Sequence, residues 1–311
     1  MKRTALIYSD EYLKHKTHFH PETHKRLEAI IHSLHKSGLW EKLIHLAPRA
    51  ATREEITLIH TPEHIQNIEA ACKQGVGNLD PDTMICKDSY HVALLAAGGV
   101  LTAVDALFTG QINNAFCAVR PPGHHAETNI AMGFCLFNNI AIAARYAQQK
   151  NYCERVLILD WDAHHGNGTQ HAFWEDSSVF YCSLHQYPHY PGSGAEEERG
   201  AGSGEGFTLN LPMPVNACDQ TYMQALTEKF IPAAEKFAPQ LILISAGFDA
   251  HTADPLADLA ITTDGFRHMT DLVLKLAEQI CQGRIISVLE GGYNLPALGD
   301  SVAGHIQELL G

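Results

Sequence analysis

The sequence lacks any Cys-x-x-Cys pair, and its eight cysteines are scattered along 311 residues. Several, Cys117 and Cys182 among them, sit inside apolar runs, which reads as reduced core thiols rather than a disulfide frame. Basic residues are in deficit: 22 Lys and Arg stand against 35 Asp and Glu, a formal charge of −13. That balance argues against direct nucleic-acid binding, which needs a basic surface to displace counterions. It is compatible with steering a cationic substrate inward. The first ten residues carry too short an apolar run for a signal peptide, and no other stretch is read as approaching a membrane span. The expectation is a cytoplasmic protein with no membrane partner. Linkers, repeats and low-complexity tracts are also missing, so one domain over 1–311 is expected. A hydrophobic fraction of 45% permits a large core.

What is present is an alternation of apolar runs and helical periodicity. Thr4 to Tyr8 reads as a strand and His20 to Lys36 as an amphipathic helix stopped by Gly38. Pro62 to Gln74 is a second helix, with Pro in its first turn and Gly75 at its end. Asp88 to Phe108 is a long helix in which Gly98-Gly99 marks close packing. Strands near 115, 156, 179, 208, 242 and 286 alternate with helices near 140, 222, 266 and 298. That order predicts an α/β fold, an open, mainly parallel sheet with helices on both faces. The His185–Gly206 segment is too long for an ordinary connection and reads as a functional loop over the sheet edge. Within it the Glu196–Glu198 run reads as solvated.

Residues 157–168, Leu-Ile-Leu-Asp-Trp-Asp-Ala-His-His-Gly-Asn-Gly, carry the most specific signal. Asp160 and Asp162 are expected on one side of a buried strand end, because side chains there repeat every two residues. Two anions at such a place resist desolvation unless a cation sits beside them. Zinc is the simplest answer, since Asp oxygen and His nitrogen are ordinary zinc ligands. Three further runs end alike: 241–249 delivers Asp249, 285–293 delivers Tyr293, and 115–125 delivers His124 and His125. Each decoration alone has a bland reading as a turn former, surface residue or core plug. Their coincidence at the carboxyl ends of parallel strands, where ligands bind in such sheets, points to one site.

The motifs Arg120-Pro-Pro-Gly-His-His-Ala126, Gly133-Phe-Cys-Leu-Phe-Asn-Asn139, Asp160 to Gly168, Tyr190-Pro-Gly-Ser-Gly194, Ser245-Ala-Gly-Phe-Asp249 and Leu289-Glu-Gly-Gly-Tyr-Asn294 resemble the zinc-dependent histone deacetylase superfamily. The likeness is to its arginase/deacetylase fold and its class II-like branch, with bacterial deacetylase homologues and acetylpolyamine amidohydrolases. Weaker matches, His20-Pro-Glu22 and Asp80-Pro-Asp-Thr83, extend it towards the amino terminus. The resemblance implies one zinc on Asp162, His164 and Asp249, with room for a water acidified towards ~7 and a substrate carbonyl. By the same resemblance His125 is the main proton shuttle, His124 its partner, Asp160 the acceptor behind His124, and Tyr293 the oxyanion donor. Gly133, Phe134 and Tyr190 line the acyl-lysine tunnel. Gly133 lies where a larger residue narrows it.

Asn167 stands where many class I members have a second aspartate, so it orients His125 without stabilising its charged form as a carboxylate would. The resemblance also implies potassium or sodium at Asp160, Asp162, His164, Ser183 and Leu184, and at a second site through Phe173, Asp176, Val179 and Phe207. Arg26 matches an arginine near the acetate exit or is an ordinary surface arginine; both readings stay open. Three alternatives stand beside a lysine deacylase. A dinuclear arginase-like hydrolase needs a carboxylate where Gly166 stands. A non-catalytic binding module would tolerate loss of Tyr293 or His125, and both are present. An acetylpolyamine hydrolase fits the same motifs. Acylated lysine, in a peptide or protein, and acylated polyamine are the substrate classes, and self-association is left open.

Overall fold

The computed structural model describes residues 2–75 and 77–311. Among the described residues ten strands form: β1 Thr4–Ile7, β2 Ile44–Leu46, β3 Gly77–Asn78, β4 Met84–Ile85, β5 Asn114–Cys117, β6 Val156–Asp160, β7 Val179–Gln186, β8 Thr208–Met213, β9 Leu241–Ala246 and β10 Ile285–Leu289. Eight make one sheet in the order β2-β1-β5-β10-β9-β6-β7-β8, and every neighbouring pair is parallel. β3 and β4 form a small antiparallel pair apart from it. The central strands are buried along their whole length, as expected of strands covered on both faces. The Ser89–Phe108 and Asn139–Gln149 helices pack on one another. The Lys25–Lys36, Leu295–Leu310 and Thr263–Cys281 helices form a second packed group. Both groups also touch the central strands.

Local chemistry starts the helices where the sequence suggests. Thr61 caps the Pro62–Gln74 helix by accepting from His64 N, and Asn138 caps Asn139–Gln149 by accepting from Ala141 N. Asn294 caps the last helix in the same way through Ala297 N.

Several readings are corrected. The first long helix is Lys25–Lys36 and does not include His20–His24. The reason is Glu22, which turns inward: its buried carboxylate takes Arg120 Nε, Arg120 Nη2 at 2.6 Å and Arg26 Nη1 at 3.2 Å. Gly98 and Gly99 do allow close approach, to the backbone of 49–51 and to the side chains of Tyr12, Ile7 and Pro48. The Ser89–Phe108 helix is, by length and composition, apolar enough to cross a membrane, contrary to the sequence reading. Here 72% of its most apolar window is buried in the fold. None of the eight cysteines is bridged, and all but Cys218 are buried.

Eight histidines are buried among the described residues. Burial holds His15, His60 and His305 down to about 3, and His185 to about 4. His305 bridges β10 and the Thr263–Cys281 helix, with Nε2 2.9 Å from Ser287 Oγ and Nδ1 2.7 Å from Thr270 Oγ1. A histidine depressed on folding takes a proton in the unfolded chain below about 6.5 that the folded chain refuses. Its contribution is complete above pH 6.5 and shrinks as pH falls towards about 3. For His305 the loss at pH 5 is about 2 kcal/mol. We therefore expect urea midpoints to fall between pH 7 and pH 5 more steeply in the wild type than in His305→Gln. Equal slopes would refute the assignment to His305.

Candidate active site

Because all strands of the sheet are parallel, the loops after β5, β6, β7, β9 and β10 meet at one edge. Beyond β5 the Arg120–Ala126 turn sets His124 and His125 side by side, ring centroids 4.0 Å apart. Buried Glu290, just past β10, shapes that turn: its Oε2 accepts from Gly123 N at 2.7 Å and His124 N at 3.2 Å. Ser245 Oγ, at the end of β9, donates to the other oxygen at 3.2 Å.

β6 ends at Asp160, so strand alternation does not extend to Asp162 as the sequence reading assumed. Both carboxylates still reach His124. Asp160 Oδ2 lies 3.1 Å from Nδ1, and Asp162 Oδ1 lies 3.9 Å from Nε2. Asp160 also accepts from Tyr181 Oη at 3.1 Å and from Asp162 N at 3.1 Å, which leaves it behind His124 rather than among the metal donors.

Asp162, His164 and Asp249 converge, one ligand atom from each lying within 4.8 Å of the others. His164 Nδ1 is 3.1 Å from Asp162 Oδ1 and 2.9 Å from Asp249 Oδ2. The backbone fixes the remaining oxygens: Gly291 N donates to Asp162 Oδ2 at 2.7 Å, and Ala163 N to Asp249 Oδ1 at 2.8 Å. A β-carbon at Gly247 or Gly291 would run into these carboxylates. Two buried anions and an imidazole pressed together in this way fit a divalent cation with nitrogen and oxygen preference. Burial and the Asp162 charge push Asp249 up to about 7. Burial also opposes ionisation of Asp162, but His124 and His164 outweigh it and hold that carboxyl low. The carboxylates in turn overcome burial at His164 and raise it to about 10.

The two adjacent histidines are driven apart. Burial would lower His124, yet Asp162, Asp160 and Glu290 hold it up at about 10. Burial, His124 and His164 push His125 well below its ordinary value. Asn167 Nδ2 donates to Glu127 and to Met132 Sδ, so its Oδ1 faces His125 and accepts from Nδ1–H at 2.8 Å. His125 Nε2 is therefore the bare nitrogen. Glu127, which also takes His171 Nδ1 at 2.8 Å, puts a carboxylate behind Asn167, one link out from His125.

His125, Gly133, Phe134, His164, Tyr190 and Tyr293 line one pocket of about 260 Å³, together with Asp82, His189 and Leu256. Tyr190 stands 5.2 Å from His125 ring to ring and is 38% exposed at the mouth. The Phe134 and Tyr293 rings meet edge to face at 5.9 Å. Gly133 is constrained differently from the sequence reading: a β-carbon there strikes the His125 ring, and its φ is +55°. Tyr293 is held by Asp254, whose Oδ2 accepts from Tyr293 N at 2.6 Å and Asn294 N at 3.1 Å. Burial pushes its phenol well up, so it remains a proton donor. Arg26 is no surface residue. It is fully buried, donates from Nε to Gly292 O at 2.7 Å, and lies 5.0 Å from the Tyr293 ring centre.

Ser183 pairs in register with Asp160 across β6 and β7, and its Oγ is engaged by His185 Nδ1 at 2.8 Å; Leu184 follows it on β7. In the second group, Phe173 O accepts from Asp176 N at 3.1 Å, Phe207 O accepts from Tyr181 N at 2.9 Å, and Val179 opens β7. Glu198 departs from the solvated reading. Its carboxylate takes Gly194 N, Ala195 N and Gln170 Nε2, closing the loop that carries Tyr190. Gly166 packs on Asp160 and Tyr181, so the carboxylate an arginase-like centre needs there has no room. Glu290, Asp254, Glu127, His189, Leu256 and Asp82 escaped the sequence reading as site residues. Glu290 and Asp82 lay inside motifs already singled out, and Glu127 lies two residues past His125.

A family model described as "Histone deacetylase domain" matches residues 20–309. The chain is 42% identical over 295 residues to a protein of Archaeoglobus fulgidus named "Probable deacetylase", covering 94% of this chain and 82% of that one. It is 38% identical over 325 residues to the human protein named "Polyamine deacetylase HDAC10", covering 99% of this chain and 48% of that one. The solved structure titled "Crystal Structure of HDA15 HD domain" superposes with a TM-score of 0.94 at 38% identity, over 99% of this chain and 88% of that one. With a family match over nearly its whole length, and the same mostly parallel α/β architecture in a solved relative, the chain belongs to the histone deacetylase family.

Proposed function

We propose that this protein is a zinc-dependent deacylase that hydrolyses the amide of acetyl-lysine, or of another acyl-lysine, in peptides or proteins. The observation that carries the reading is the histidine pair beside the three-donor cluster: His125, whose Nδ1 is taken by Asn167 so that Nε2 stays bare, and His124, whose Nδ1 is locked to Asp160. Zinc held by Asp162, His164 and Asp249 would supply an acidified water and a polarised substrate carbonyl. Phe134 and Tyr190 flank the mouth as flat walls for an aliphatic stem. His125 Nε2 takes the proton of the attacking water, and Asn167 fixes the ring so that this nitrogen stays free. Tyr293 donates its hydroxyl proton as a hydrogen bond to the oxyanion that forms. The leaving amine then receives that same proton back from His125 Nε2, which returns the ring to its neutral form. A monovalent cation at Asp160, Asp162, His164, Ser183 and Leu184 would offset part of the buried negative charge.

The alternative is acetylpolyamine hydrolysis, favoured by the name of one relative and by Asp82 at the mouth, a carboxylate that suits an ammonium. Leu256 at the same rim offers no second charge for a longer polycation. Side-by-side kcat/KM values for acetyl-lysine peptides, longer acyl-lysine peptides, acetylputrescine and acetylspermidine decide the matter. We expect the peptides to lead. A polyamine preference beyond about tenfold, ~1.4 kcal/mol in transition-state binding, would reverse the substrate assignment and leave the amide chemistry standing.

A further inference from the structure

Away from the catalytic edge, a second cleft of about 580 Å³ opens between the start of β8 and the Ile231–Phe237 helix. Its floor is aromatic: Phe180, Phe207 and Phe237 cluster there, with ring centres 5.5 Å and 5.9 Å apart along the chain of contacts. Its rim is cationic. Arg155, Arg199, Lys229 and Lys236 line it against the single carboxylate of Glu205. In a chain of net charge −13 this is a local reversal of sign.

The walls are already built. Arg155 is anchored by donation from Nε to Ala238 O at 2.9 Å, and Lys229 is paired with Glu196 at 2.9 Å. The 199–206 loop is tied down by Gly206 N to Arg199 O at 2.7 Å and by Ala201 N to Trp174 O at 2.9 Å. Among the described residues, Arg199 and Lys236 enter no ion pair, and both side chains are exposed. Cations set around a low-dielectric floor concentrate positive potential within the concavity. The volume lies within the range of small-molecule sites, ~300–1,000 Å³. A protein partner would need a face on the order of 800 Å², and an anionic membrane would repel the acidic remainder of the molecule.

From this geometry we propose that the cleft is a binding site for a small amphiphilic anion, an apolar body carrying a phosphate or carboxylate head. The body lies on the three phenylalanines and Ala233, and the head is met by Arg199 and Lys236. None of these residues belongs to the catalytic pocket, so the proposal does not depend on the substrate assignment.

Isothermal titration of the full chain with dodecyl phosphate and with laurate, both below their micelle concentrations, tests it. One site per chain is expected, and the tighter of the two probes identifies the head group. Arg199→Glu combined with Lys236→Glu should weaken that site at least tenfold while leaving deacetylase activity unchanged. Ala233→Trp, which fills the floor without altering charge, should do the same. Several results would overturn the proposal: no binding of either anion, unchanged affinity in the charge variant, equal binding of dodecyltrimethylammonium, or equal binding of inorganic phosphate. Attachment to anionic vesicles without binding of the single molecules would also overturn it, replacing the small ligand by a lipid surface.

Discussion

Replacing Asp249 by Ala is expected to strip the divalent metal from the protein and to lower amide hydrolysis by at least about 10³, because several kcal/mol of charge stabilisation goes with the ion. Asp249 is fully buried and gives the cluster the oxygen nearest His164 Nδ1, at 2.9 Å. Without it, Asp162 and His164 remain as two donors, too few to hold zinc against a chelator. Asp162→Ala should behave alike, with the added loss of the Gly291 N contact that fixes the β10 loop. Elemental analysis after desalting, in parallel with activity, reads both effects. The wild type should carry one zinc per chain, and each variant a small fraction of that. Full zinc in both variants would remove Asp162 and Asp249 from the ligand set. Two metals per wild-type chain would restore the dinuclear alternative.

The parts of the site that the sequence exposes are those whose residue types are unusual at strand ends. Asp160, Asp162 and His164 follow an apolar run and precede a glycine turn, while Asp249 and Tyr293 follow an apolar run and one or two glycines, so both the strand and its cargo are legible in one dimension. Parallel pairing of β5, β10, β9 and β6 then brings those ends to one edge, which alternation of strands and helices already implies. What the sequence hides is polar chemistry turned inward from unremarkable places. Glu22 sits in a stretch with helical periodicity, and only its contacts with Arg120 and Arg26 show why the helix waits until Lys25. Arg26 keeps the spacing of a helix-surface residue while its guanidinium is spent on the Glu290 and Gly292 carbonyls. β2 does not show in the sequence because three residues of an edge strand are too few to show a period. The Ser89–Phe108 helix does not stand out in the sequence as a membrane-length segment because its glycines, small residues and single acid dilute its apolar signal.

Tyr293→Phe separates chemistry from binding and architecture more cleanly than any metal ligand does. The ring and its edge-to-face contact with Phe134 survive the substitution, as do the Asp254 bonds to the backbone at Tyr293 and Asn294. Only the hydroxyl is lost. Metal content and thermal stability should match the wild type, while kcat on an acetyl-lysine peptide falls about 10²–10³, the usual cost of one oxyanion donor. KM should change little, since the contact strengthens only as charge develops on the carbonyl oxygen. His125→Ala should be at least as damaging, because it removes the imidazole whose Nδ1 bond to Asn167 leaves Nε2 bare. The two losses are not expected to add in the double variant, since proton removal and oxyanion stabilisation serve the same step. Wild-type turnover in both single variants would discard the mechanism and favour a binding module. A drop in Tyr293→Phe that appears entirely in KM would instead make Tyr293 a wall of the pocket rather than a donor to the transition state.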